Sequence, residues 1–167
     1  MKHRYNLLPK LRFRSLLLFA SFLFMTPASA QHSVAREWNE ALLQCIRKDL
    51  ARPTIHARNI FHITASMYDA WAIYDSTAST YLLGKTVGSF TCPFNGIQAP
   101  VDKVAAQEEA MSYAAYRMIR ARFQNSPGAA ISLPPLDALM SAKGYPTDNF
   151  SQDYSSGSAA ALGNYIA

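Results

Sequence analysis

The stretch Thr54-Ile-His-Ala-Arg58-Asn-Ile-Phe-His62-Ile-Thr-Ala-Ser66-Met-Tyr-Asp69-Ala-Trp-Ala-Ile-Tyr74 decides the fold class. On a helical wheel its apolar residues, from Ile60 and Phe61 through Ile63, Met67, Ala70 and Trp71 to Ile73, run almost all the way round. A helix that is apolar on every side belongs inside a protein rather than on its surface. The expectation is an all-α fold, a helical bundle portion with a central buried helix over about residues 55–74, capped by Thr54.

Working outward, the preceding segment repeats a simpler helical pattern. Val34, Trp38, Ala41, Leu42, Cys45 and Ile46 form one apolar face, and Arg36, Glu37, Glu40, Arg47 and Lys48 form the other. Ser33 is placed to cap this helix, which is expected to run to about Leu50 before Pro53 interrupts it. Residues 75–99, with their Ser, Thr, Gly and Asn95-Gly96, read as a long connecting loop of the kind that covers something. Pro100 opens the next helix, with Asp102 in its first turn and an end near Phe123. A short helix over Pro134–Lys143 follows, closed by Gly144. A polar loop spans 148–158, and Ser158–Ala167 begins helical again.

The first thirty residues have their own logic. Lys2, Arg4, Lys10, Arg12 and Arg14 precede an uncharged apolar run of eleven residues, Ser15–Met25, and then Ala28-Ser-Ala30. This is the order of a secretory signal peptide, and the apolar run is far short of the roughly 20 residues that span a bilayer. Cleavage after Ala30 is expected, with a periplasmic or extracellular destination and no stable membrane span afterwards. The whole chain has 167 residues and a formal charge of +5 from 16 Lys plus Arg and 11 Asp plus Glu. The leader carries five of those cations and no anion, so the remaining 31–167 chain is formally neutral. That removes the charge on which a nucleic-acid partner would depend.

Arg58, His62, Ser66 and Asp69 lie within about 80° of one another on the 55–74 helix and make a polar stripe. Two readings follow. His62 and Arg58 could handle an anion or a proton, or all four could form a polar network that ties the helix to its neighbours. His62 and Asp69 are about 10 Å apart along the axis and cannot form a direct dyad. His56 and His62 lack the i, i+4 spacing of a helical metal pair, and no Gly-x-Ser-x-Gly or glycine-rich phosphate loop is present. Tyr113 and Tyr116 read as core. Cys45 and Cys92 could form a disulfide in an oxidising compartment or stand as two separate thiols.

The runs Val34-Ala-Arg-Glu-Trp-Asn-Glu, Arg52-Pro-Thr-Ile-His-Ala-Arg58…His62…Tyr68-Asp-Ala70, Met111-Ser-Tyr-Ala-Ala-Tyr-Arg117 and Gly163-Asn-Tyr-Ile-Ala167 have a common look. Together they resemble the N-terminal helical region of secreted bacterial proteins related to vanadium-dependent haloperoxidases, which are grouped with the type 2 phosphatidic acid phosphatases. The resemblance implies an all-α bundle whose complete members hold vanadate or phosphate in a Lys and Arg cradle, with one His on the vanadium or phosphorus and another as acid–base. Those groups come from Lys-x6-Arg-Pro, Pro-Ser-Gly-His and Ser-Arg-x3-His motifs.

None of the three motifs stands in this chain. Arg52-Pro53 has Cys45 where the Lys belongs, Ser126-Pro-Gly128 has the wrong order and no His, and no Ser is followed by Arg. Catalytic, cofactor and metal residues are therefore expected to be none, with vanadate reserved for a complete member. The expected role is an exported scaffold portion without activity of its own, truncated before the catalytic motifs. Its expected partner is the C-terminal catalytic segment. Two other readings stay open: a part of an active peroxidase or phosphatase, and a stand-alone periplasmic helical binding module.

Overall fold

The computed structural model describes residues 33–167, and the leader expected over residues 1–30 lies outside the described residues. The described chain is mostly helical. Helix α1 (Val34–Arg47) starts on Ser33, whose hydroxyl accepts the Arg36 N–H at 3.3 Å. Its buried residues Val34, Trp38, Leu42 and Cys45 keep the spacing of a single apolar face. It ends at Arg47, short of Leu50, because the Lys48 and Asp49 N–H groups bond back only three residues, to Cys45 and Ile46, and tighten the last turn.

Helix α2 (Pro53–Ala72) begins with Pro53 itself. Thr54 is not its cap. Pro has no N–H to leave unsatisfied at this position and its fixed φ suits a first helical residue. Helix α3 (Lys103–Phe123) is capped by Asp102, which accepts the Ala105 N–H at 3.0 Å. Short α4 (Ala129–Ser132) and α5 (Pro134–Ala142) follow. Gly144 sits just past α5 at φ +75°, a backbone state that favours glycine. Ser158 caps α6 (Ala159–Ile166). Between α2 and α3 the expected loop contains a small antiparallel ladder, β1 (Thr86–Val87) with β2 (Phe90–Thr91), pairing Thr86 with Thr91 and Val87 with Phe90.

The centre of the fold is α3, not the 55–74 helix. Every residue from Ala110 to Tyr116 is buried, nearly two full turns, so α3 is enclosed on all sides. It packs against α1, α2, α5 and α6. Helix α2 buries Ile63, Met67 and Ala70, while Phe61 is 49% exposed and Tyr68 42%. Apolar residues all round α2 thus mark a helix with one face on α3 and another open to solvent. What makes α3 central is its small side chains: Ala110, Ser112, Ala114 and Ala115 let neighbours come close. The Trp38 indole N–H donates to the Ser112 hydroxyl at 3.0 Å, and Ser112 donates to the Glu108 carbonyl at 2.7 Å. On the α6 side Gly163 lies directly over the Ala110 carbonyl, where an added Cβ would stand 2.4 Å away.

No helix among the described residues is long and apolar enough to cross a membrane. The close approach of α6 to α3 leaves no room for a side chain at Gly163. Gly163→Ala is expected to force α6 off α3 and cost about 1–3 kcal/mol, as overpacking does. A urea midpoint unchanged from the parent would show that the contact is not tight.

Candidate functional site

The four polar residues of α2 go to separate tasks. Ser66 donates to the Ile63 carbonyl of its own helix at 2.8 Å. The Asp69 carboxylate is buried and accepts three successive backbone N–H groups from the covering segment: Tyr81, then Leu82 and Leu83, both at 2.9 Å. Leu83, pinned in this way, is buried against α2. One carboxylate therefore fixes the path of a segment twelve to fourteen residues further along. Tyr68, next to Asp69, also holds this segment, donating its hydroxyl to the Ser79 carbonyl at 2.9 Å.

His62 turns toward α3, with its Nδ1 3.1 Å from an Arg122 guanidinium nitrogen. A guanidinium only donates, so Nδ1 accepts and the imidazole proton belongs on Nε2. Burial, together with the positive charges of Arg122 and Arg58, holds the His62 imidazole below its ordinary value of 6.5. Arg58, a turn earlier, is exposed. Among the described residues, neither Arg58 nor Arg122 forms an ion pair with a carboxylate. His62 and Arg122 border a cavity of about 310 Å³ whose walls include Phe61, Leu82, Phe90 and Met118.

Cys45 and Cys92 are both free thiols rather than a disulfide. Cys45 is buried on α1, and its Sγ lies 3.8 Å from the Ser132 carbonyl, while burial pushes its thiol up from the ordinary value. Cys92 follows β2 and lines the His62 cavity.

A second polar cluster joins residues that sequence reading kept apart. Asp49, its side chain only 2% exposed, accepts from Arg52 at 2.7 Å and from the Ser126 hydroxyl at 2.9 Å. Burial works to raise this carboxyl, but the bonds from Arg52, the Leu50 N–H and Ser126 outweigh it and hold the group below its ordinary value. His56 stands beside it, its Nε2 2.8 Å from the Leu50 carbonyl and 3.9 Å from the carboxylate, with its ring stacked on Phe123. Ser, Asp and His meet here in the wrong order for nucleophilic catalysis. The serine donates to the aspartate, and no base faces its oxygen. The cluster ties the end of α1 to the end of α3, and nothing in the spacing of 49, 56 and 126 announces it.

The arginine-rich end of α3 has a comparable use. Arg117 donates to the Asn164 side chain at 2.9 Å and to the carbonyls of Thr147 and Asn149 at 3.0 and 2.7 Å. Its guanidinium also lies over the Phe150 ring, 4.1 Å from the centroid.

Vanadate, the group implied by the resemblance, can be tested against these residues. It is an oxyanion that needs several convergent cations and a free imidazole nitrogen. Around the His62 cavity one guanidinium is in place, its donor already occupies the Nδ1 of His62, and the Asp69 carboxylate lines the same space. These residues do not fit vanadate. Among the described residues no group of three or more His, Cys, Asp and Glu is arranged to hold a metal ion.

Two outcomes follow from this geometry. A histidine lowered by folding binds more protons in the unfolded chain. Its contribution to stability is thus complete above about 6.5 and is lost as pH falls through that value toward the lower folded one. His62→Gln should remove this part of the pH dependence, read as the difference between parent and variant urea midpoints on either side of 6.5. Asp69→Ala should cost about 1.5–3 kcal/mol, the range for hydrogen bonds to a charged group, and should speed hydrogen exchange at Tyr81, Leu82 and Leu83. Unchanged exchange there would mean that the segment is held by something else.

Comparison with known protein families, with curated proteins and with solved structures finds no match for this chain.

Proposed function

We propose that this chain is an exported helical scaffold of the vanadium-dependent haloperoxidase and type 2 phosphatidic acid phosphatase kind, a bundle portion that supplies packing surface rather than oxyanion chemistry. One observation carries the reading: two charged residues inside the resembling stretches, Asp69 and Arg117, are engaged in holding backbone. Asp69 takes three N–H groups of the covering segment, and Arg117 takes two carbonyls and the Asn164 amide. A side chain committed to several fixed partners is oriented by them and positions loop rather than substrate. The three family motifs that would bring Lys, Arg and His to an oxyanion are absent from the sequence. The basic leader with its short apolar run and Ala28-Ser-Ala30 supports export.

The rival reading, an active vanadate-dependent peroxidase or phosphatase, makes an opposite demand on the same sample. Purified protein should give no bromide oxidation with vanadate and hydrogen peroxide beyond the buffer rate. It should also leave the vanadate resonance in a vanadium-51 NMR titration unperturbed. Saturable turnover in the first assay would overturn the scaffold reading.

A further inference from the structure

The cavity between α2, the covering segment and the last turns of α3 is not absorbed by the scaffold reading. Its chemistry is uneven. At one side stands Arg122, which gives one donor to His62 and has no carboxylate partner among the described residues. The neighbouring imidazole is a base facing a guanidinium, so it adds no positive charge that would drive the pair apart. The apolar part of the lining is Phe61, Leu82, Phe90 and Met118, the last one turn before Arg122 on α3. Phe61 and Phe90 remain 49% and 62% exposed, so large apolar side chains at this rim are still open to water. The ring of Phe61 is set edge-on to Tyr81, with centroids 5.7 Å apart, and the rim is thereby held in shape.

We propose that this cavity binds a small organic monoanion, with a carboxylate head on the Arg122 guanidinium and an apolar tail between Phe61, Phe90 and Met118. A guanidinium fork matches a carboxylate in geometry and charge. The cavity's 310 Å³ lies at the small end of the range of about 300–1,000 Å³ usual for small-molecule sites. The charge of the ligand is limited by Asp69, whose carboxylate borders the same cavity. With Arg122 as the arginine of the lining and Asp69 beside it, the cavity favours a singly charged head and repels a multiply charged oxyanion. The selection for tail plus single charge thus differs from anything a vanadate or phosphate cradle would select, and it stands or falls apart from the scaffold reading.

The test is calorimetric titration of the purified protein with decanoate, alongside decyltrimethylammonium, which has the same tail and the opposite charge. Decanoate is expected to bind saturably at one site, about tenfold or more tighter than the cation, and to shift the NMR signals of the His62 ring. Arg122→Gln, a change at an exposed residue, is expected to weaken decanoate about tenfold, the worth of one charge-assisted contact. Arg36→Gln, on exposed α1 surface, should leave it unchanged. Ala65→Phe, which places a ring in the cavity, should abolish binding, with retained helical circular dichroism showing that the fold survives. The proposal is overturned by absence of saturable decanoate binding, by equal affinity for both head groups, or by an Arg122→Gln protein that binds as the parent does.

Discussion

The small residues of α3 at Ala106, Ala110, Ser112, Ala114 and Ala115 set the constraint on which the other elements depend. A helix surrounded on every side needs room for several neighbours, and bulky side chains pointing outward would hold them off. Here Ala110, Ala114 and Ala115 bring the neighbouring backbones in, and Gly163 lets α6 rest on the Ala110 carbonyl. The one large residue that reaches this zone from α1, Trp38, does so without stranding a polar atom, because Ser112 receives its indole N–H. Close approach turns many small dispersion contacts into most of the cohesion, and it makes the core sensitive to single methyl groups.

Around this closely packed helix the polar side chains act as fasteners at three margins. Asp49, Arg52 and Ser126 close the end where α1 stops and α3 stops. Arg117 and Asn164 gather the 147–151 segment onto α3 and α6, with the Asn164 amide donating to the carbonyls of Asn149 and Ser151 at 2.8 and 2.9 Å. Asp69 holds the third margin. Each of these groups satisfies loop carbonyls or N–H groups that no helix or ladder could reach, which is why segments with little secondary structure still have fixed paths.

The helices could be read from the sequence because their signals are local. Ser33 and Ser158 as starts, Asp102 near the head of α3 and Gly144 past α5 each act within four residues. Where local signals compete, one wins: Pro53 rather than Thr54 begins α2, since the first turn suits proline better than a cap suits threonine. The choice of central helix turns on something else. Apolar residues all round α2 and small residues along α3 both promise burial, and only the three-dimensional arrangement decides which helix the others surround. The site residues were hardest. Asp69 serves amides twelve to fourteen residues on, His62 meets Arg122 across sixty, and Asp49 meets Ser126 across seventy-seven. The polar stripe on α2 was visible as a stripe. Its division into a loop holder, a guanidinium acceptor and a helix-internal bond was not, because the partners are set by how α2 lies against α3.

Helix α6 adds a consequence in time. Eight residues are too few for a helix to persist alone in water, where about 12–15 are marginal. It exists because α3 and α2 receive it. Until residues 159–166 have been made, the face of α3 around Ala110 and Tyr113 lacks this cover, and vectorial synthesis delivers it after the other described helices. Any form of the chain that lacks residues 159–166 leaves the Ala110 and Tyr113 side of α3 open to water.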